Sequence, residues 1–124
     1  MSSASKAKAK PTPLSDQEIQ QTYIRLQNEL QALARKIGEL ESEADEHSLV
    51  LTTLEEALAK EPDRKCFRLI GGVLVERTVK DVTPALKTNR DGIRKVMSTL
   101  AEQYKTKEKD LDAFKREYNI RPVQ

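Results

Sequence analysis

Apolar residues recur at alternating steps of four and three along the first half of the chain. Two interleaved heptad series result: Ile19, Leu26, Leu33, Leu40, His47 and Leu54, and Tyr23, Leu30, Ile37, Ala44, Leu51 and Leu58. A repeat sustained over this length predicts a coiled-coil seam with a left-handed supercoil. Ser15 and Glu18 match a capping box that begins a helix, and Pro62 disfavours helical geometry before it. The pattern therefore predicts a helix over 15–61.

The period changes after Pro62. Two β-rich runs, KCFRLI over 65–70 and VLVERT over 73–78, flank the pair Gly71-Gly72. Two such runs around two glycines predict a β-hairpin with a two-residue turn, which pairs Ile70 with Val73 and Leu69 with Leu74.

A second helical stripe follows and predicts a helix over 79–119. The stripe runs through Val79, Val82, Leu86, Ile93, Val96 and Leu100, and then continues as Tyr104, Lys107, Leu111, Phe114 and Tyr118. Taken this way, two consecutive steps of four around Leu100 predict a stutter that locally unwinds the coil. Pro84 leaves two starts open. The helix begins either at Thr83, with Pro84 at its first position, or near Val79 with a bend at Pro84, and the stripe favours Val79.

These elements predict an all-α-dominated fold: a long antiparallel two-helix coiled coil with one β-hairpin between the helices. The hairpin is apolar on both faces and leaves strand edges open, which favours pairing with other chains and closure into an oligomeric β-barrel. The predicted subunit-assembly residues are Phe67, Leu69, Ile70, Val73, Leu74 and Val75.

Composition supports long solvated helices in a single domain. Of 124 residues, 37% are hydrophobic, 34% are charged and only 4% are aromatic, so a large globular core is not expected. The predicted organisation is a disordered basic tail over 1–14, the helix–hairpin–helix domain over 15–120 and a short tail over 121–124. No apolar run reaches the roughly 20 residues of a membrane helix. A cytoplasmic location is expected, with the nucleus possible.

Charge and chemistry exclude several classes of function. The formal net charge is +2, and the three lysines of the tail leave a near-neutral body, so no nucleic-acid partner and no membrane partner is expected. His47 is interpreted as a polar seam residue and Cys66 as a half-buried strand residue. No nucleophile, base and orienting group come together, so the chain is expected to be no enzyme, with no catalytic residues, no metal and no cofactor.

The segment GGVLVERTVKDVTPAL over 71–86, followed by NRDGI over 89–93, closely resembles the β-type prefoldin family, and KREYNI over 115–120 resembles the end of that family. The likeness covers about residues 15–120, and His47 on the seam departs from the expected apolar residue. The resemblance implies a non-enzymatic co-chaperone subunit in a heterohexamer with two α-type and three further β-type subunits. It implies a double β-barrel body with coiled coils as tentacles. The tentacle tips hold unfolded clients such as actin and tubulin and deliver them to the cytosolic chaperonin TRiC/CCT without ATP.

The resemblance places client binding at the free end of the coil. The candidate residues there are Leu14, Ile19, Tyr23, Phe114, Tyr118 and Ile120. The four on the seams are equally well interpreted as the last packed layers of the coil. Leu14 and Ile120 lie outside the seams and are expected to be better exposed.

Two other functions remain open from the residues alone. One is a structural coiled-coil scaffold or homodimeric spacer, which has no need of an apolar hairpin. The other is a nucleic-acid factor that uses the lysine tail, against which the near-neutral body argues.

Overall fold

The computed structural model describes residues 13–121. Helix α1 spans Asp16–Lys60, strand β1 spans Lys65–Ile70, strand β2 spans Val73–Thr78, and helix α2 spans Val79–Glu117. The predicted fold of two long helices joined by a hairpin is confirmed. The predicted tails lie outside the described residues, except for Pro13, Leu14 and Arg121.

The two helices pack side by side in antiparallel order. Three contacts between them mark the alignment: Glu29 with Lys107, Ser48 with Arg94, and Glu55 with Lys87. At about 1.5 Å per residue, α1 extends roughly 67 Å and α2 roughly 58 Å. The hairpin lies at one end of this rod, and the start of α1 and the end of α2 meet at the other, which we call the free end.

The core is a single seam between the helices. Every heptad position predicted on α1 is buried or half-buried, including His47. The buried apolar residues of the described chain are few: Leu40, Ala44, Leu51, Val79, Val82 and Leu111. A two-helix layer has no third element to cover its outer faces, so most side chains stay in water.

The predicted stripe of α2 was wrong at one position. Val96 is 49% exposed, whereas Met97 and Arg90 are half-buried. With Arg90 and Met97 in the stripe, the steps alternate between four and three from Leu86 to Tyr118, so the heptad runs through Leu100 without the predicted stutter. The sequence concealed this register because Arg90 is charged and because Val96 directly precedes the seam residue Met97.

Loop carbonyl groups hold the start of α2. The first backbone N–H groups of the helix, those of Val79 and Lys80, donate to the carbonyl oxygens of Arg64 and Pro62, both at 3.0 Å. The Asp81 N–H donates to the Thr78 hydroxyl, 3.3 Å away. The free N–H groups at a helix start need such partners. The helix therefore begins at Val79, the earlier of the two predicted starts. Pro84 lies inside the helix, in its second turn.

Both helix ends at the free end are closed by capping motifs. At the start of α1, the Ser15 hydroxyl accepts from the Glu18 N–H at 3.2 Å, and a Glu18 carboxylate oxygen accepts from the Ser15 N–H at 3.1 Å. At the end of α2, Asn119 adopts a left-handed φ of 54°, and the Ile120 N–H donates to the Lys115 carbonyl at 2.8 Å. That pattern is a Schellman motif.

None of the helices in the described part of the chain combines the length and apolar character needed to cross a membrane.

Candidate functional site: the hairpin and the free end of the coiled coil

The hairpin turn has glycine at both central positions, where the backbone conformation favours it. Gly71 and Gly72 have φ values of 56° and 82°, in the left-handed region that a side chain makes costly. These values fit a type I′ turn, whose twist matches that of the two strands. The strands pair antiparallel with Ile70 opposite Val73 and Leu69 opposite Leu74, as predicted.

The register sorts the hairpin side chains into two faces. What we call the Phe face carries Lys65, Phe67, Leu69, Leu74, Glu76 and Thr78, and what we call the Arg face carries Cys66, Arg68, Ile70, Val73, Val75 and Arg77. Alternation along each strand dictates this division, since neighbouring side chains point to opposite sides of a sheet.

Both faces expose large apolar side chains. Phe67, Leu69 and Leu74 on the Phe face are each 67% exposed, and Val73 and Ile70 on the Arg face are 62% and 47% exposed. Of the six predicted assembly residues, Val75 alone is half-buried. The sheet has two strands, so both of its edges also present unpaired backbone groups. Exposed apolar surface on a two-stranded sheet marks a binding surface, because an isolated hairpin is marginally stable in water.

The free end of the coil presents a different surface. The six residues predicted there, Leu14, Ile19, Tyr23, Phe114, Tyr118 and Ile120, are all half-buried. The rings of Phe114 and Tyr118 pack against each other with centroids 4.8 Å apart, and the Tyr23 hydroxyl accepts from the Gln27 amide at 2.9 Å. The structure brings the six residues to one end of the rod in a packed arrangement.

Leu14 and Ile120 are half-buried, as the four seam residues are, and two capping motifs account for this. Leu14 directly precedes the N-cap, and Ile19 is the fourth residue of the helix. These are the two positions of a hydrophobic staple. Ile120 is the residue that the Schellman motif folds back over the last turn of α2. Each motif turns an apolar side chain toward its own helix, which accounts for the burial.

Ile24 is an exposed apolar residue near the free end that the sequence analysis missed. Its side chain is 46% exposed and lines an open groove of about 490 Å³. The other lining residues are Gln21, Arg25, Asn28, Glu29 and Ala32. The signal was present in the sequence, because Ile24 directly follows seam residue Tyr23 and so lies off the seam.

A charged network lies beside this groove. One oxygen of Glu29 contacts the Lys107 ammonium at 2.9 Å, and the other contacts the Arg25 guanidinium at 2.8 Å. Hydrogen bonds from Lys107, and then from Arg25, lower the pKa of the Glu29 carboxyl. Lys107 occupies a seam position of α2, so this ion pair links the helices four residues before the Leu111 layer.

No cluster of three or more possible metal ligands occurs among residues 13–121. The Nδ1 atom of His47 lies 2.9 Å from the Glu43 carbonyl oxygen, the distance of a hydrogen bond in which the ring N–H donates. Cys66 is half-buried on the Arg face. His47 is thus a half-buried seam residue bonded within its own helix.

A self-capped coil and an uncovered apolar sheet together define a class: a helix–hairpin–helix chain whose hairpin leaves its apolar side chains uncovered. Comparison with known proteins narrows that class. The model of the prefoldin subunit family matches residues 17–124. Prefoldin subunit 2 of Homo sapiens is 46% identical over 108 residues, covering 87% of this chain and 68% of its own. A probable prefoldin subunit 2 of Schizosaccharomyces pombe is 43% identical over 112 residues, covering 90% and 96%.

A solved structure agrees in fold. The prefoldin beta subunit from Thermococcus strain KS-1 superposes with a TM-score of 0.72 at 18% identity, covering 93% of this chain and 100% of its own. The chain belongs to the prefoldin subunit family. It is a co-chaperone subunit, of a family of chaperones rather than enzymes, and the family implies assembly with other prefoldin subunits.

Proposed function

We propose that this chain is a β-type subunit of a prefoldin heterohexamer with two α-type and three further β-type subunits. Its hairpin joins the hairpins of neighbouring subunits in a closed β-barrel. The observation that carries this proposal is the exposure of Phe67, Leu69 and Leu74 at 67% each, on a sheet with two open edges. Closing a sheet on itself pairs both edges and buries one face, which removes both liabilities of an isolated hairpin.

The coil serves as a tentacle whose free end holds non-native proteins such as actin and tubulin. Support comes from the apolar residues gathered there and from Ile24, which lies 46% exposed beside a groove open to solvent. One such contact is weak, but several tentacles that act on one client multiply its retention. Packed residues such as Phe114 and Tyr118 contribute once the end loosens around a client.

Delivery of the client to the cytosolic chaperonin TRiC/CCT follows without nucleotide, in the cytoplasm and, where clients require it, in the nucleus. The chain performs no catalysis in this proposal. Binding and release then depend on the number of tips engaged and not on a chemical step.

Native mass spectrometry of the complex recovered from eukaryotic cytosol with a C-terminally tagged copy of this chain tests the assembly. One copy among six small subunits of two α-type and four β-type is the expected result. A homodimer or a lone monomer contradicts the proposal and favours a coiled-coil spacer instead.

Client binding is tested separately by suppression of aggregation of denatured actin by the purified complex. Ile24→Ser is expected to reduce suppression by about two- to fivefold, as loss of one side chain among several contact sites implies. The matched control is Leu49→Ser, since Leu49 is 72% exposed on the same helix but far from the free end. Equal effects of the two variants contradict a client surface at the free end.

A further inference from the structure

The two faces of the hairpin differ in charge. On the Phe face, the Lys65 ammonium lies 3.6 Å from a Glu76 carboxylate oxygen, so its two charges compensate each other. The Arg face carries Arg68 and Arg77 and no acidic residue. Neither arginine forms an ion pair with any residue of 13–121. One face of the assembly element is therefore neutral and the other carries two uncompensated positive charges.

The two arginines lie close together at the base of the hairpin. Arg68 is opposite Val75 and Arg77 is opposite Cys66, which makes the two arginines diagonal neighbours on the same face. Diagonal neighbours in a sheet are about 7–8 Å apart, within reach of long side chains. Arg68 is half-buried, and its guanidinium has no acidic partner among the described residues.

A strand that joins the free edge of β1 places its side chains beside Arg68, and a strand that joins the free edge of β2 places its side chains beside Arg77. In a continuous sheet, each residue has its nearest cross-strand neighbours on the same face of the next strand, with Cβ atoms about 4.5–5.5 Å apart. A barrel that encloses Phe67, Leu69 and Leu74 has the Phe face of this hairpin on its inside. The Arg face then lies on the outside, aligned with the outer face of each neighbouring strand.

We propose that Arg68 and Arg77 select the neighbouring subunits: the strands that pair with the edges of this hairpin carry acidic side chains on the face aligned with the Arg face. The proposal rests on the assembly proposed above and specifies its partner. Opposite charges side by side on adjacent strands stabilise the pairing, whereas like charges destabilise it.

The same charge pattern disfavours pairing between two copies of this chain. Whatever the register, face alignment brings to each arginine only the residues Cys66, Arg68, Ile70, Val73, Val75 and Arg77 of the second copy. None of them is acidic, so every self-pairing leaves four arginines uncompensated. A specificity device of this kind works by repulsion in the wrong complex as much as by attraction in the right one.

The test is competitive incorporation into the complete prefoldin complex. Cells co-express wild-type chain and a variant with tags of different mass, and native mass spectrometry gives the ratio of the two in the recovered complex. The double variant Arg68→Glu/Arg77→Glu is expected to be incorporated about tenfold less than wild type, because each attractive pair becomes repulsive. The matched control is Lys65→Glu/Glu76→Lys, which exchanges the charges on the Phe face and keeps the net charge. Incorporation of the double variant at the wild-type ratio overturns the proposal.

Salt dependence distinguishes a charge effect from a shape effect. The advantage of wild type over Arg68→Gln/Arg77→Gln is expected to shrink as salt rises from 50 to 500 mM, since salt screens partly exposed charges. An advantage that is constant with salt overturns the charge-based mechanism.

Self-association of the isolated chain tests the exclusion of a second copy. Arg77→Glu alone gives the face one charge of each sign, so two copies then compensate each other. We expect its homo-oligomer fraction in analytical ultracentrifugation to rise several-fold above that of wild type. No rise overturns the exclusion. Failure of the proposed heterohexamer assembly is seen independently, because the wild-type chain would then be absent from any prefoldin complex.

Discussion

The coil and the hairpin of this chain both carry large apolar side chains, but they differ in how far the chain itself covers them. The coil pairs its apolar seam within the chain, from Ile19 to Leu58 on α1 and from Val79 to Tyr118 on α2, and caps its helix ends at the free end. The hairpin leaves Phe67, Leu69 and Leu74 in water and both edges open. The first region covers its apolar residues within the chain, whereas the second leaves its own uncovered.

The difference teaches where function resides in a subunit of this kind. A surface that folding satisfies contributes stability, and a surface that folding leaves unsatisfied contributes recognition. By this criterion the hairpin is the main recognition surface of the isolated chain, and the free end is secondary, because its capping motifs already turn Leu14 and Ile120 inward.

Truncating one leucine in each region is expected to give the largest measurable difference between the coil and the hairpin. Leu51→Ala on the seam, where the side chain is 1% exposed, is expected to lower the free energy of unfolding of the isolated chain by about 2–5 kcal/mol. Leu74→Ala on the hairpin should leave that free energy almost unchanged and reduce incorporation into the complex. Thermal unfolding followed by circular dichroism, beside native mass spectrometry, measures both quantities. A large loss of stability from Leu74→Ala would show that the hairpin already packs on its own coil.

The turn offers a second way to separate the regions. Proline fixes φ near −65°, which is incompatible with the φ of 56° at Gly71, so Gly71→Pro is expected to cost about 3 kcal/mol locally and to abolish assembly. The helical signal of the coil should persist. Gly38→Ala serves as the control, because its added Cβ meets nothing within 4 Å and alanine favours a helix by about 0.5–1 kcal/mol. Normal assembly of Gly71→Pro would exclude the hairpin as the joining element.

Capping tests how far the free end is self-sufficient. Ser15→Ala removes the hydroxyl that accepts from the Glu18 N–H at 3.2 Å and is expected to destabilise the start of α1 by about 1 kcal/mol. Amide hydrogen exchange should show faster exchange over the first turns of α1 and no change in the hairpin. Ser42→Ala, at an exposed mid-helix position, is the control. Unchanged protection in Ser15→Ala would mean that the tertiary contacts of Ile19 and Tyr23 hold the end without the cap.

Much of the fold was predictable from the sequence, because heptads, glycine turns and capping boxes are local signals. The seam of α1, the hairpin register and the capping box were read correctly in this way. The α2 register was not, because Arg90 occupies a seam position that apolar periodicity overlooks and Val96 lies beside the true seam residue Met97.

Exposure at the free end was less predictable, because it depends on backbone geometry that residue types only partly reveal. The left-handed conformation of Asn119 decides where Ile120 points, and the staple positions decide the same for Leu14. The exposure of Ile24 follows from its position off the seam, directly after Tyr23, which the periodicity of the seam residues does not reveal. The identity of neighbouring strands beside Arg68 and Arg77 lies in other chains, so no reading of this sequence alone supplies it.

The smallest expected effect concerns the charged link between the helices. Lys107, and then Arg25, lower the pKa of Glu29 below its ordinary value of 4.5, so the ionised carboxylate is favoured in the folded chain. The resulting stabilisation is present at neutral pH and is lost as the pH falls through the lowered pKa, since protonation then occurs in both states. Because the Glu29 side chain is only partly buried, at 32% exposed, solvent screens its ion pairs and the effect on the thermal midpoint is small.

Glu29→Gln is therefore expected to lower the thermal midpoint slightly at pH 7, and this difference from wild type should shrink as the pH falls through the lowered pKa of Glu29 and vanish below it. Glu41→Gln is the control, because Glu41 is exposed and forms no ion pair within the described chain. The helical signal followed through thermal unfolding at several pH values measures both variants. A difference that persists unchanged at low pH would show that Glu29 acts through packing against Lys107 and not through its charge. In that case even the polar link between the helices would be part of the packing that folding completes within the coil. The contrast with the uncovered hairpin would then be sharper.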